Sequence, residues 1–212
     1  MPDYALESRL GALHGGPVAG IDEAGRGPWA GPVIAAAVVL DHAALAPELL
    51  ARLDDSKALK PAAREEIFEA LVAEAGRGRA WIGRGRAEVA EIDRLNILEA
   101  TMTAMARALA ALEPAPAAAL VDGNRLPKLA CPAEAVVKGD GRSLSIAAAS
   151  IVAKVTRDRE MAELARRFPG YGWERNQGYG TAEHQAALAR LGVTPAHRRS
   201  FRPVRELLAG GP

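Results

Sequence analysis

Gly20-Ile21-Asp22-Glu23-Ala24-Gly25-Arg26-Gly27-Pro28 follows directly on Pro17-Val18-Ala19, so two adjacent carboxylates close an apolar run that reads as a buried strand. Unpaired buried charge costs several kcal/mol, and Asp and Glu are seldom fully buried without a partner. Folding alone gives no reason for acids there, so they call for positive charge brought from elsewhere. The Gly-Pro-rich stretch 25–31 leads into a second apolar run, 32–40, and the two runs read as an antiparallel strand pair.

Further along, residues 61–74 read as a helix, with Pro61 in the first turn and Ile67, Leu71 and Val72 at helical spacing. A short strand is expected at 80–83, and helices at 88–92 and 96–112. Residues 118–122 read as a buried strand ending in Asp122, and 135–140 as another ending in Asp140. A long helix is expected over 143–168 and a further one over 182–191, followed by an irregular basic segment. Strands interleaved with helices predict an α/β chain, with one domain over residues 1–212 of which 192–212 is a basic C-terminal tail.

Composition bounds what the chain can be. Its 212 residues suffice for one sizeable core, and 49% apolar with 25% charged residues is the balance of an ordinary globular protein. The longest apolar runs, 33–40 and 146–149, are too short to cross a membrane. The lone Cys131 can form no internal disulfide and the N-terminus lacks an apolar leader, so a cytoplasmic protein is expected. The net charge of +1 hides an asymmetry: residues 154–205 hold eleven Lys or Arg against five Asp or Glu, a footprint suited to a polyanion.

Three strand ends thus supply Asp22 with Glu23, Asp122 and Asp140, and ligands in sheets flanked by helices gather at such ends. Any one of these acids alone is a common turn or capping residue. Four facing each other would repel strongly unless divalent cations intervene. Oxygen donors without clustered His or Cys suit Mg²⁺ or Mn²⁺, and two such ions about 4 Å apart would form the clamp used in phosphodiester cleavage. Successive side chains of a strand face opposite ways, so the first strand is expected to end or bulge at residues 23–25 to bring Glu23 to the same site. Gly25-Arg26-Gly27 lacks the spacing of a dinucleotide-binding loop, since the next glycine is Gly31 and a strand follows. Its glycines instead allow close backbone approach to a sugar or phosphate.

GIDEAGRGPWAGPV from Gly20, Asp55-Ser56-Lys57, VDGN at 121–124, KGDGRSLSIAAASIVAKVTRD from Lys138 and GYGTAEH from Gly178 together resemble the successive signatures of bacterial ribonuclease HII, a type 2 ribonuclease H. The resemblance runs from about residue 17 to 203. It implies a mixed five-stranded sheet flanked by helices, here with a C-terminal helical extension. It implies a metal-dependent endonuclease that hydrolyses RNA in RNA·DNA hybrids and ribonucleotides embedded in duplex DNA, leaving 5′-phosphate and 3′-hydroxyl ends. Carried over by position, Asp22, Glu23, Asp122 and Asp140 would be the catalytic metal-binding acids for two Mg²⁺ or Mn²⁺ ions. Gly25, Arg26 and Gly27 would read the ribose 2′-hydroxyl, Tyr179 would pack on the deoxyribose after the junction, and Lys57, Ser150 and Lys154 would hold phosphates. The implied partner is the nucleic acid alone, with the protein a monomer and no membrane involved. Trp29 departs from the pattern by its bulk, and His184 reads as a packing residue. A non-catalytic hybrid-binding module and a different nuclease of the same fold remain as alternatives.

Overall fold

The computed structural model describes residues 1–54, 56 and 59–210. In chain order the elements are α1 (Ala5–His14), β1 (Val18–Ala24), β2 (Val33–Leu40), α2 (Pro47–Leu50), α3 (Pro61–Gly76), β3 (Ala80–Ala87), α4 (Val89–Leu95), α5 (Ile97–Ala110), β4 (Ala118–Asp122), β5 (Ala133–Val136), α6 (Leu144–Arg167), α7 (Trp173–Asn176), α8 (Ala182–Leu191) and α9 (Arg202–Ala209). The strands form one sheet in the order β3-β2-β1-β4-β5. β1 pairs antiparallel with β2, β2 antiparallel with β3, and β1–β4 and β4–β5 are parallel, which makes the sheet mixed.

Strict alternation of side chains divides β2 between two cores although all eight of its residues are buried. Ala36, Val38 and Leu40 meet Ala148, Ile151 and Val152 of α6 and Ile67, Phe68 and Leu71 of α3. Val33, Ala35, Ala37 and Val39 meet Ala100, Ala104, Met105 and Ala108 of α5 on the opposite face. α6 lies directly on β1 because Gly20 has no side chain: a Cβ there would stand 2.1 Å from the Ser145 carbonyl carbon and 2.2 Å from Ile146 N. The N-terminus of α6 is held in place by Glu7 of α1, whose carboxylate accepts from Ser143 Oγ (2.6 Å), Ser145 N (2.9 Å) and Ser145 Oγ (2.7 Å). A buried carboxylate suits the positive end of a helix.

Several elements differ from the sequence reading. β3 continues to Ala87, paired with β2 along its full length. The run Gly83-Arg84-Gly85-Arg86 looks like a loop, but its glycines let α5 approach, a Cβ on Gly85 standing 1.9 Å from Ala104 O, while both arginines face outward. β5 stops at Val136 and is a mostly unburied edge strand, so Asp140 lies beyond it in a 3-10 turn, Gly139–Gly141. The segment after Gly192 is not irregular throughout. It carries α9 and buries Ala196, His197, Arg198 and Val204.

That C-terminal segment joins Met161, Tyr171, Trp173 and Leu188 in a smaller core beside the sheet. Inside it, His197 Nδ1 accepts from Thr194 N (3.0 Å), so its Nε2–H is left to donate to His184 Nε2 (3.2 Å), which also accepts from Trp173 Nε1 (3.1 Å). His184 Nδ1–H then donates to the Tyr179 carbonyl (2.9 Å), as a packing histidine would. The chain needs both rings neutral. Burial, with His184 adding to it, pushes His197 down to about 4. The unfolded chain takes up that proton near pH 6.5, so this contribution to stability is complete above about pH 6.5 and is lost as pH falls toward 4, up to about 3 kcal/mol. Thermal unfolding between pH 7.5 and 4.5 should show a steeper loss for the native chain than for His197→Gln, which starts lower at neutral pH; parallel curves would remove His197 from the acid sensitivity.

Candidate active site

β1 and β4 run side by side, and the last pair in register is Ile21 with Val121. Each strand has an acid at its next position, so Asp22 and Asp122 meet on the α6 face of the sheet. Asp22 is buried, with Oδ1 accepting its neighbour's amide, Glu23 N, at 2.7 Å. Burial raises the Asp22 carboxyl well above the usual carboxylate range, and the charges of Glu23 and Asp122 push it further. The Glu23 amide and the Ser150 hydroxyl favour its ionised form but do not outweigh that cost. Asp122 Oδ1 accepts from Gly139 N at 2.7 Å, the first residue of the 3-10 turn that carries Asp140.

β1 does end inside the window 23–25, at Ala24, and Gly25 turns away with φ of 99°. It does not bulge: pairing with β2 stays regular through Glu23↔Ala35 and Ala24↔Ile34. The pleat therefore sends Glu23 toward the α5 side, where it lines a second recess with Arg26, Asp122 and Asn124 while still edging the main cleft. Arg26 Nη1 stands 3.3 Å from Glu23 Oε1. Asp140 Oδ1 accepts from Gly141 N at 2.9 Å, inside its own turn. Among the described residues no three acids, His or Cys are drawn together tightly enough to hold a metal ion. The donor set still fits one: crowded oxygens whose mutual repulsion lifts a buried carboxyl are what a divalent cation would relieve.

The main cleft, about 650 Å³, is lined by Asp22 and Glu23, by Gly25, Arg26, Gly27 and Tyr179, and by Ser56, Ser150, Lys154 and Arg157. Ser150 is buried with its Oγ 2.7 Å from Ser56 Oγ, so the hydroxyl is held among side chains rather than standing free in the cleft. Lys154, one helical turn on, has Nζ 2.6 Å from Asp158 Oδ1. Lys57 lies outside the described residues. Tyr179 is 48% exposed, and a Cβ on Gly27 would come within 3.3 Å of its ring. The large Trp29 fills the space beneath Gly180, where a Cβ would stand 2.0 Å from the indole.

Two residues of this region have no counterpart in the sequence reading. Arg157 of α6 and Arg198 are 1% and 0% exposed, and among the described residues their guanidinium groups donate to backbone carbonyls of loop 25–32 and of Gln177. Burial lowers Arg157 to about 10 and Arg198 to about 9, so both stay charged at neutral pH. A usable signal was the density of Gly and Pro in 25–32, which leaves many carbonyls without a regular partner.

A mixed sheet with acids at adjacent strand ends, faced by a glycine-edged and cationic cleft, defines an enzyme of the ribonuclease H type. The match of residues 19–204 to the family model described as Ribonuclease HII makes the assignment specific: the chain belongs to the ribonuclease HII family. It is 65% identical over 209 residues to the ribonuclease HII of Rhodospirillum rubrum, covering 99% of this chain and 93% of that one. It is 61% identical to that of Paramagnetospirillum magneticum, covering 98% and 99%. The crystal structure of ribonuclease H2 from Pyrococcus horikoshii OT3 superposes with a TM-score of 0.75 at 28% identity, over 90% of this chain and 96% of the other. The protein is thus a metal-dependent endonuclease that hydrolyses RNA in RNA·DNA hybrids. No helix among the described residues is long and apolar enough to cross a membrane.

A carboxyl raised by burial and like charge costs stability at neutral pH, where the unfolded chain would ionise it freely; that stability is present only at acid pH and is lost as pH rises through the folded value. Asp22→Asn should accordingly raise Tm at pH 7 in the absence of divalent ions while abolishing cleavage. Calorimetry in chelator with a parallel hydrolysis assay checks both, and near-normal turnover by the variant would remove Asp22 from the acid set.

Proposed function

We propose that the enzyme cleaves beside single ribonucleotides embedded in duplex DNA as well as within continuous hybrids, leaving 5′-phosphate and 3′-hydroxyl ends, with two Mg²⁺ or Mn²⁺ ions held by Asp22, Glu23, Asp122 and Asp140. The observation that carries this reading is that Asp22 and Glu23 line the same cleft as Gly25-Arg26-Gly27 and Tyr179. A strand laid across it would have its phosphate at the acids and its sugar at the glycines.

Divalent ions, when bound, supply the charge neutralisation that attack on a phosphodiester requires. The chain's own residues do the rest. Asp22 and Asp122, fixed by the parallel register, would hold the ions; the Glu23 amide and Ser150 orient Asp22 and favour its charged form. Glu23, from the α5 side, and Asp140, from the 3-10 turn, would complete the set. Lys154, lining the cleft, exchanges part of its pairing with Asp158 for the substrate's phosphates. Gly25 to Gly27 present backbone to the 2′-hydroxyl, the group that separates RNA from DNA at one position. The Tyr179 ring packs on the following deoxyribose, where an added hydroxyl would find neither space nor a hydrogen-bond partner.

A labelled duplex with zero, one or four ribonucleotides tests the reading, and cleavage of the all-DNA duplex would overturn it. Loss of a stacked ring costs about 1–3 kcal/mol. Tyr179→Ala should therefore lower kcat/KM on the single-ribonucleotide duplex by about tenfold more than on a continuous hybrid. Equal losses would make Tyr179 a general affinity residue.

A further inference from the structure

The guanidinium of Arg198 has five N–H groups, and each has a carbonyl of the glycine-edged loop. Nη2 donates to Gly25 O (2.6 Å) and Pro32 O (3.2 Å), Nη1 to Arg26 O (3.0 Å) and Pro28 O (2.7 Å), and Nε to Gly31 O (2.9 Å). Arg157 takes Pro32 O (3.2 Å) and Ala30 O (3.1 Å) from the same loop, and Gln177 O (3.0 Å) from the turn that carries Tyr179. Trp29 N donates to Gly178 O at 2.8 Å and closes the link between loop and turn.

In a trans peptide the carbonyl of one residue and the N–H of the next point in opposite directions. The carbonyls of Gly25 and Arg26 are both turned onto buried Arg198, so the N–H groups of Arg26 and Gly27 are turned away from it, toward the cleft those residues wall. Among the described residues neither N–H has an acceptor. Gly25, at φ of 99°, makes the turn that the arrangement needs, and a Cβ there would stand 2.0 Å from Arg157 Nε.

We propose that Arg198 is the positioning residue of the ribose-reading loop: by gathering its carbonyls it aims two backbone N–H donors at a sugar hydroxyl, while Arg157 fixes the Tyr179 turn at a set distance from them. The proposal rests on the reading of Gly25 to Gly27 given above. A buried cation spent on five carbonyls makes physical sense because the carbonyls of this loop have few other donors, and only a planar five-donor fork can collect them at once. A lysine, with three donors from one nitrogen, cannot.

The test is the full chain carrying Arg198→Lys, with Arg157→Lys in parallel. Its readout is the ratio of affinities for a duplex containing one ribonucleotide and the same all-DNA duplex, measured in chelator so that no cleavage intervenes. Loss of two well-formed hydrogen bonds predicts a fall in that ratio of about fivefold or more for Arg198→Lys. A folded Arg198→Lys protein that keeps the native ratio, whatever its Tm, overturns the proposal. Should that variant not fold, the amide resonances of Arg26 and Gly27 in the unsubstituted protein decide. A shift on adding the ribonucleotide duplex but not the DNA duplex supports it, and identical responses to both overturn it. Failure of the underlying reading shows separately, as an unsubstituted protein that binds both duplexes equally.

Discussion

The structure depends on how closely α6 lies against β1. A single glycine, Gly20, removes the side chain that would hold them apart, and the helix start then rests on strand backbone. One turn and a half along the helix, that contact puts Ser150 against Asp22. The same closeness buries Asp22 beside Asp122 and creates the repulsion that makes the site useful. A sheet and helix held a few ångströms farther apart would admit water, screen the carboxylates and leave two ordinary surface acids. Glu7, at the positive end of α6, fixes the helix along its own axis, so the approach is set in two directions by residues outside the cleft.

The glycine-edged part of the cleft solves a different problem. Loop 25–32 holds five glycines or prolines among its eight residues with little regular pairing, and its carbonyls turn inward to two arginines that α6 and the C-terminal segment supply. Acid and base are thereby separated in role. The carboxylates face the cleft, while the most deeply buried cations face the backbone and shape it. Surface ion pairs such as Arg9–Glu134 add little by comparison, being half exposed and screened.

What the sequence made legible was local. An acid at the close of an apolar run can be read from a few residues, and so can a glycine-edged turn; Asp22, Asp122 and Gly25 to Gly27 are legible that way, Tyr179 only through the family resemblance, and they converge on one region. The regularity of β1 through Ala24 was not legible, because a bulge and a long side chain both solve the problem of Glu23 and only pairing with β2 chooses between them. β3 was cut short at Gly83 since its glycines serve contact with α5, a partner residues away in the chain. Arg157 and Arg198 were counted among the basic surface because nothing local distinguishes a buried arginine from an exposed one. The distinction lies in carbonyls more than a hundred positions distant.

The separation between Arg198 and the loop it gathers, 173 positions for its bond to Gly25, has a consequence for biosynthesis. Chains emerge from the ribosome N-terminus first and long-range contacts form last. A nascent chain long enough to assemble the sheet, α6 and the acids has every carboxylate in place, yet its glycine-edged loop has the hydrogen bonds from Arg157 but none of the five from Arg198. The loop at the edge of the cleft is fully tied down only with the final stretch of synthesis, so fragments ending short of residue 198 would carry the acids with that loop lacking its largest set of hydrogen bonds.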